Sequence, residues 1–137
     1  MYEFISGKIV SLNPTSVVVE NSGIGYFINI SLNTYSKIKD IPTTKLFIYF
    51  HVTEDAQILY GFADENEREI FVLFLSVSGV GANTARLILS SLTTAEVFDA
   101  VTGGHASVLQ GVKGIGAKTA QRIVIDLKDK MLKATID

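Results

Sequence analysis

Two hydrophobic rhythms divide the chain. Up to about residue 62 the apolar residues come in short runs, GKIVSL, TSVVVEN, GYFINISL, KLFIYFHVT and AQILYGF, rich in Val, Ile, Phe and Tyr, as strands are. Turn signals lie between them: Asn13-Pro14, Asn21-Ser22-Gly23 and Ile41-Pro42-Thr43. Tyr26, Ile28 and Ile30 alternate with Phe27, Asn29 and Ser31, the spacing of a strand with one buried face. Five short strands and one helical turn near Ser36 predict a small closed or nearly closed barrel of the OB type.

From Asp64 the period becomes helical. Asp64 with Glu67 resembles a capping box, and Ile70, Phe71, Phe74 and Val77 follow at helical spacing. Thr93 with Glu96 offers a second such start, leading into Val97, Ala100 and Val101. Gly103-Gly104 breaks that helix, and a short one is expected around 106–110. The last helix, about 117–132, carries Ala120, Ile123, Val124, Leu127 and Met131 on one side. Lys128, Lys130 and Lys133 crowd its C-terminal end, where the helix dipole favours cations. The pattern predicts an α+β chain of two domains: a barrel over 1–63, and an all-α domain of about five helices over 64–137.

Composition narrows the class. The chain has 137 residues, 47% hydrophobic and none of them Cys, enough to pack a core and without means for disulfides or thiolate metal sites. No apolar run approaches the ~20 residues of a membrane span, and MYEFISGKIV alternates rather than forming a signal-peptide core. A soluble cytoplasmic protein is expected. The net charge is −2, so any phosphate-binding surface must come from local arrangement rather than from bulk charge.

A repeat supplies that arrangement. SGVGANTARLILSSL begins at Ser78 and KGIGAKTAQRIVIDL at Lys113, and the two agree at seven of fifteen places. Each has an apolar helix end, then Gly-hydrophobe-Gly, then a new helix. The glycines, Gly79 and Gly81 in one copy and Gly114 and Gly116 in the other, permit positive φ and leave the backbone bare. Successive N–H groups then face outward at a helix N-terminus, where an anion binds. Val80 and Ile115 are expected to plug the core below each turn, and Ala85 and Ala120 to allow close helix approach. This is the helix-hairpin-helix pattern, which holds DNA phosphates by main-chain amides. A single copy could be no more than a tight turn; two with matching flanks favour DNA. The candidate contacts are Gly79, Val80, Gly81, Ala82, Asn83, Thr84 and Arg86 in the first copy, and Lys113, Gly114, Ile115, Gly116, Ala117, Lys118, Thr119 and Arg122 in the second. Lys118 and Arg122 lie one turn apart, placed to reinforce a phosphate; Asn83 is the neutral counterpart of Lys118.

Glu54 and Asp55 fall between two apolar strands, hence on a hairpin tip. With His51 they hint at a metal or acid–base site, but no third ligand stands at suitable spacing. By residue chemistry alone they read as a solvated turn.

A barrel, then TEDAQILYGF, then tandem GVG and GIGAKTAQRI in this order resembles the RuvA family, the Holliday junction-binding subunits of the bacterial branch-migration machinery. The resemblance covers the whole chain. It implies an OB-fold domain, a second domain with two helix-hairpin-helix motifs, and a homotetramer, or an octamer on DNA, whose concave face carries the open four-way junction. It also implies that Glu54 and Asp55 form the family's acidic pin, which repels phosphates at the crossover. Three positions depart from the family's basic residues: Thr53 before the pin, Asn83 in the first hairpin and Ala117 in the second. They imply a weaker electrostatic grip. Relatives continue through a linker into a small helical domain that contacts the RuvB motor ATPase. The present sequence stops at Asp137, so that contact domain is expected to be missing here, whether by truncation, cleavage or natural absence.

The expected function is structure-selective, sequence-independent binding of four-way junctions for branch migration in recombination and repair, with no catalysis and no cofactor. The alternative is the DNA grip of a nuclease or ligase, which labelled junction and Mg²⁺ would reveal by cut or sealed product. A pure protein-interaction module would show no DNA affinity at low salt.

Overall fold

The computed structural model describes residues 2–134; Met1 and residues 135–137, at the outer ends of the two expected domains, lie outside them. The described chain forms two compact units, divided between Arg68 and Glu69.

In the first unit five strands close a barrel in the order β1-β2-β3-β5-β4: β1 (Phe4–Asn13), β2 (Ser16–Asn21), β3 (Ile24–Ile30), β4 (Thr43–Val52) and β5 (Gln57–Phe62). Neighbours are antiparallel except β3 and β5, which run parallel with Ile28 opposite Leu59. The OB-like barrel read from the strand runs is therefore present. Its interior holds Ile5, Val17, Val19, Ile28, Ile30, Leu46 and Ile48, with Ile38 of helix α1 (Leu32–Ile38) packed into the same cluster. Alternation along β3 holds through Ile30 and then stops. Ser31, expected on the outer face with Phe27, is fully buried, because it caps α1: its Oγ accepts from the Thr34 amide.

The second unit packs five helices: α2 (Glu65–Leu75), which begins in the first unit, then α3 (Ala82–Ser91), α4 (Thr94–Thr102), α5 (Ala106–Gln110) and α6 (Ala117–Lys133). Ile70, Phe71, Phe74, Val97, Val101, Leu109, Ile123, Leu127 and Met131 are buried, as the helical period demands. Val124 is only half-buried, at the edge of the α6 stripe. Thr93 and Glu96 form the expected reciprocal capping box at α4. Asp64 and Glu67 act differently from the capping pair their spacing suggests. Asp64 pairs with Lys37. Both oxygens of Glu67 accept hydroxyls from the barrel side, Ser31 Oγ at 2.5 Å and Thr34 Oγ1 at 2.6 Å.

Candidate nucleic-acid interface

The two Gly-hydrophobe-Gly segments fold alike, bond for bond. In the first, Val77 N donates to Phe74 O at 3.0 Å, Val80 N to Val77 O at 3.1 Å and Ala85 N to Gly81 O at 3.0 Å. In the second, Val112 N donates to Leu109 O at 3.0 Å, Ile115 N to Val112 O at 3.1 Å and Ala120 N to Gly116 O at 3.0 Å. Gly79 and Gly114 have φ of +90° and +91°, where an L side chain is strained. Val80 and Ile115 are buried beneath the turns. Ala85 and Ala120 are completely buried, so a larger side chain would force the helices apart.

The second glycine of each pair corrects the expectation from sequence. Gly81 and Gly116 are not left-handed; they are the N-caps of α3 and α6, at φ −92° and −85° in extended backbone. A Cβ built on either meets nothing within 4 Å. Their value lies in what they leave open. Neither helix start has a side-chain cap, and the first amides of a helix have no partner within it. Ser, Asn or Asp at these places would take up an amide. Glycine offers no side-chain acceptor to the first amides of α3 and α6, and a helix start left so favours an anion.

The flanking side chains differ between the copies. Lys113, Gly114, Gly116, Ala117, Lys118 and Arg122 are exposed, and Thr119 is half-buried. In the first copy Gly79, Gly81 and Asn83 are exposed, Thr84 and Arg86 half-buried, and Ala82 buried. Asn83 Oδ1 accepts from Arg86 Nη2 at 2.9 Å, so this pair partly satisfies itself. Arg122 Nη1 lies 3.4 Å from Ser78 O. That contact joins the second hairpin's helix to the first hairpin's turn and draws the two turns together. Lys130 Nζ, 3.4 Å from Ser76 Oγ, adds another link. No local spacing announces either contact.

Glu54 and Asp55 are exposed in the loop between β4 and β5, which Thr53 N closes by donating to Ala56 O at 2.9 Å. They belong to the first unit and the hairpins to the second. His51 is half-buried among rings, 6.1 Å from Tyr49 and 6.2 Å from Tyr60 between centroids. Among the described residues no three His, Cys, Asp or Glu gather as a metal site, and no helix is long and apolar enough to cross a membrane.

Comparison with known proteins decides the family. Residues 1–61 match the model of the RuvA N terminal domain, and residues 71–129 that of a SAM-like helix-hairpin-helix tandem. A protein of Christiangramia forsetii is 52% identical over 137 residues, covering 100% of this chain and 71% of its own length. The chain belongs to the RuvA family. A Bacteroides fragilis relative is 53% identical over 131 residues, 96% of this chain, and a Flavobacterium psychrophilum relative 48% identical over 133 residues, 97% of it. All three are named Holliday junction branch migration complex subunit RuvA. The present RuvA-family chain spans 65% of the length of the Bacteroides fragilis relative and 69% of the Flavobacterium psychrophilum one.

Proposed function

We propose that this chain is a non-catalytic subunit that binds four-way DNA junctions without reading their sequence. In this reading it acts as a homotetramer, two of which can face each other as an octamer on DNA. It holds the junction open for a RuvB-type motor ATPase in cytoplasmic recombination and repair. One observation carries the reading: two matching helix starts, both uncapped and both opened by a glycine that the fold does not require. Amides so presented fit phosphate oxygens, and phosphate contacts position a protein on DNA without specifying bases. The residues proposed to make them are Gly79–Thr84 with Arg86, and Lys113–Thr119 with Arg122. Glu54 and Asp55, exposed at a hairpin tip, suit the opposite task of repelling phosphates at a crossover. The names of the relatives, subunits of a Holliday junction branch migration complex, support the junction as ligand and membership of a larger complex.

A gel shift tests this reading, with a labelled four-way junction and a linear duplex of equal length at one salt concentration in Mg²⁺. The junction is expected to be retained at protein concentrations that leave the duplex free, and to be recovered uncut. Equal retention sinks the structure-selective claim, and a cut or sealed product points instead to the DNA grip of a processing enzyme.

A further inference from the structure

The two hairpins of the second unit are near copies, but one position breaks the match where they meet. In the register of the repeat, Arg122 falls where the first copy has Leu87. Its Nη1 lies 3.4 Å from Ser78 O, the carbonyl just before the left-handed Gly79. About two turns further along α6, Lys130 Nζ lies 3.4 Å from Ser76 Oγ, which itself donates to Leu73 O at 2.6 Å. Residues spaced by whole helical turns share a face, so one face of α6 reaches the short segment where α2 ends and the first turn begins. All of these residues belong to the second unit.

The contacts have an electrostatic reason. The last carbonyls of a helix carry partial negative charge, which cations in the last turn ordinarily answer. Helix α2 has no basic residue in its last turn, and α6 brings Arg122 and Lys130 to just beyond that end. Their worth is not in folding, since exposed hydrogen bonds of this length add little to stability. It lies in spacing. Two anion sites grip one DNA together only where their separation fits it, and the gain vanishes when geometry forbids engaging both. A guanidinium has five N–H donors, so the tie to Ser78 leaves others for a phosphate.

We propose that Arg122 is a positioning residue for the first hairpin: from the second hairpin's helix it holds Ser78, and so sets the distance between the two phosphate-binding turns, with Lys130 as a second tie. This rests on the proposed DNA binding, in which Arg122 meets phosphate beside its own hairpin. It adds a role exerted through the other one.

A double-mutant cycle on the full chain separates the two roles, read as dissociation constants for a labelled four-way junction at one salt concentration. Gly81→Ser disables the first hairpin in a folded protein, since its backbone is extended and its surroundings open, and Ser caps the amides. Arg122→Met removes the guanidinium and keeps the apolar stem. Arg122→Met should weaken junction binding about tenfold in the wild type but at most about twofold in Gly81→Ser, because spacing matters only while both turns grip. Lys118→Ala, which touches the second hairpin alone, should cost the same factor in both backgrounds. An equal factor for Arg122→Met in both backgrounds overturns the proposal and leaves Arg122 a phosphate contact of its own hairpin. If Gly81→Ser binds the junction as tightly as the wild type does, the first hairpin is only a turn, and the proposal falls with the hairpin reading.

Discussion

Gly114 and Gly116 stand two residues apart and do different work. Gly114 occupies left-handed backbone, so Gly114→Val should destabilise the protein by about 1–3 kcal/mol and disturb the turn as a whole. Gly116 has ordinary backbone and open space around its Cα. Gly116→Ser should therefore melt at or slightly above the wild-type temperature, because Ser is the better N-cap by a few tenths of a kcal/mol. Its hydroxyl would nonetheless occupy an amide that phosphate is proposed to use, so DNA affinity should fall. Normal DNA binding by Gly116→Ser would mean that the hairpins are only turns. Lys118→Ala is milder: it removes one cation proposed to meet phosphate and should reduce the slope of log affinity against log salt by about one. Glu67 offers a pH test. Burial raises its pKa above the ordinary 4.5, against the pull of hydrogen bonds from Ser31, Thr34 and Asn33 and of the Lys37 charge. The folded state thus holds this proton more tightly than the unfolded chain does, and the associated stability is present below 4.5 and lost as pH rises through the higher folded value. In thermal melts of wild type beside Glu67→Gln, the wild type's relative stability should decline from pH 4.5 toward neutrality; a relative gain would show the hydrogen bonds outweighing burial.

At the scale of elements, what sequence revealed is what local spacing encodes. The strand runs, the Thr93/Glu96 capping box and the first glycine of each turn depend on residues a few positions apart, and these elements are present where the pattern placed them. What stayed hidden depends on distance along the chain. Glu67 meets Ser31 across 36 positions, so its spacing from Asp64 suggested a cap when its partners lay in the barrel. Arg122 meets Ser78 across 44, and no periodicity reveals that the two hairpins touch. The roles of the two glycines in each pair were likewise not separable by residue type, since glycine serves a left-handed turn and an uncapped helix start equally well. The β4–β5 tip is the converse case. Its place on a hairpin was evident from the flanking strands, while residue chemistry gave its acids no task and only the family resemblance did.

For the whole molecule, the proposed function divides grip and repulsion between the two units: uncapped amides and Lys118 in the helical one, Glu54 and Asp55 on the barrel. On that proposal a net charge of −2 is intelligible, because affinity would reside in placed donors and selectivity in placed acids. The most direct test is a pair of dissociation constants, for a four-way junction and for linear duplex at one fixed salt concentration, in the wild type and in Glu54→Gln/Asp55→Asn. The wild type is expected to prefer the junction, and the double variant to bind duplex more tightly and lose part of that preference. A double variant that discriminates between the two DNAs as well as the wild type does would contradict the role given to the acidic tip. A wild type that binds both DNAs equally would contradict junction selectivity altogether.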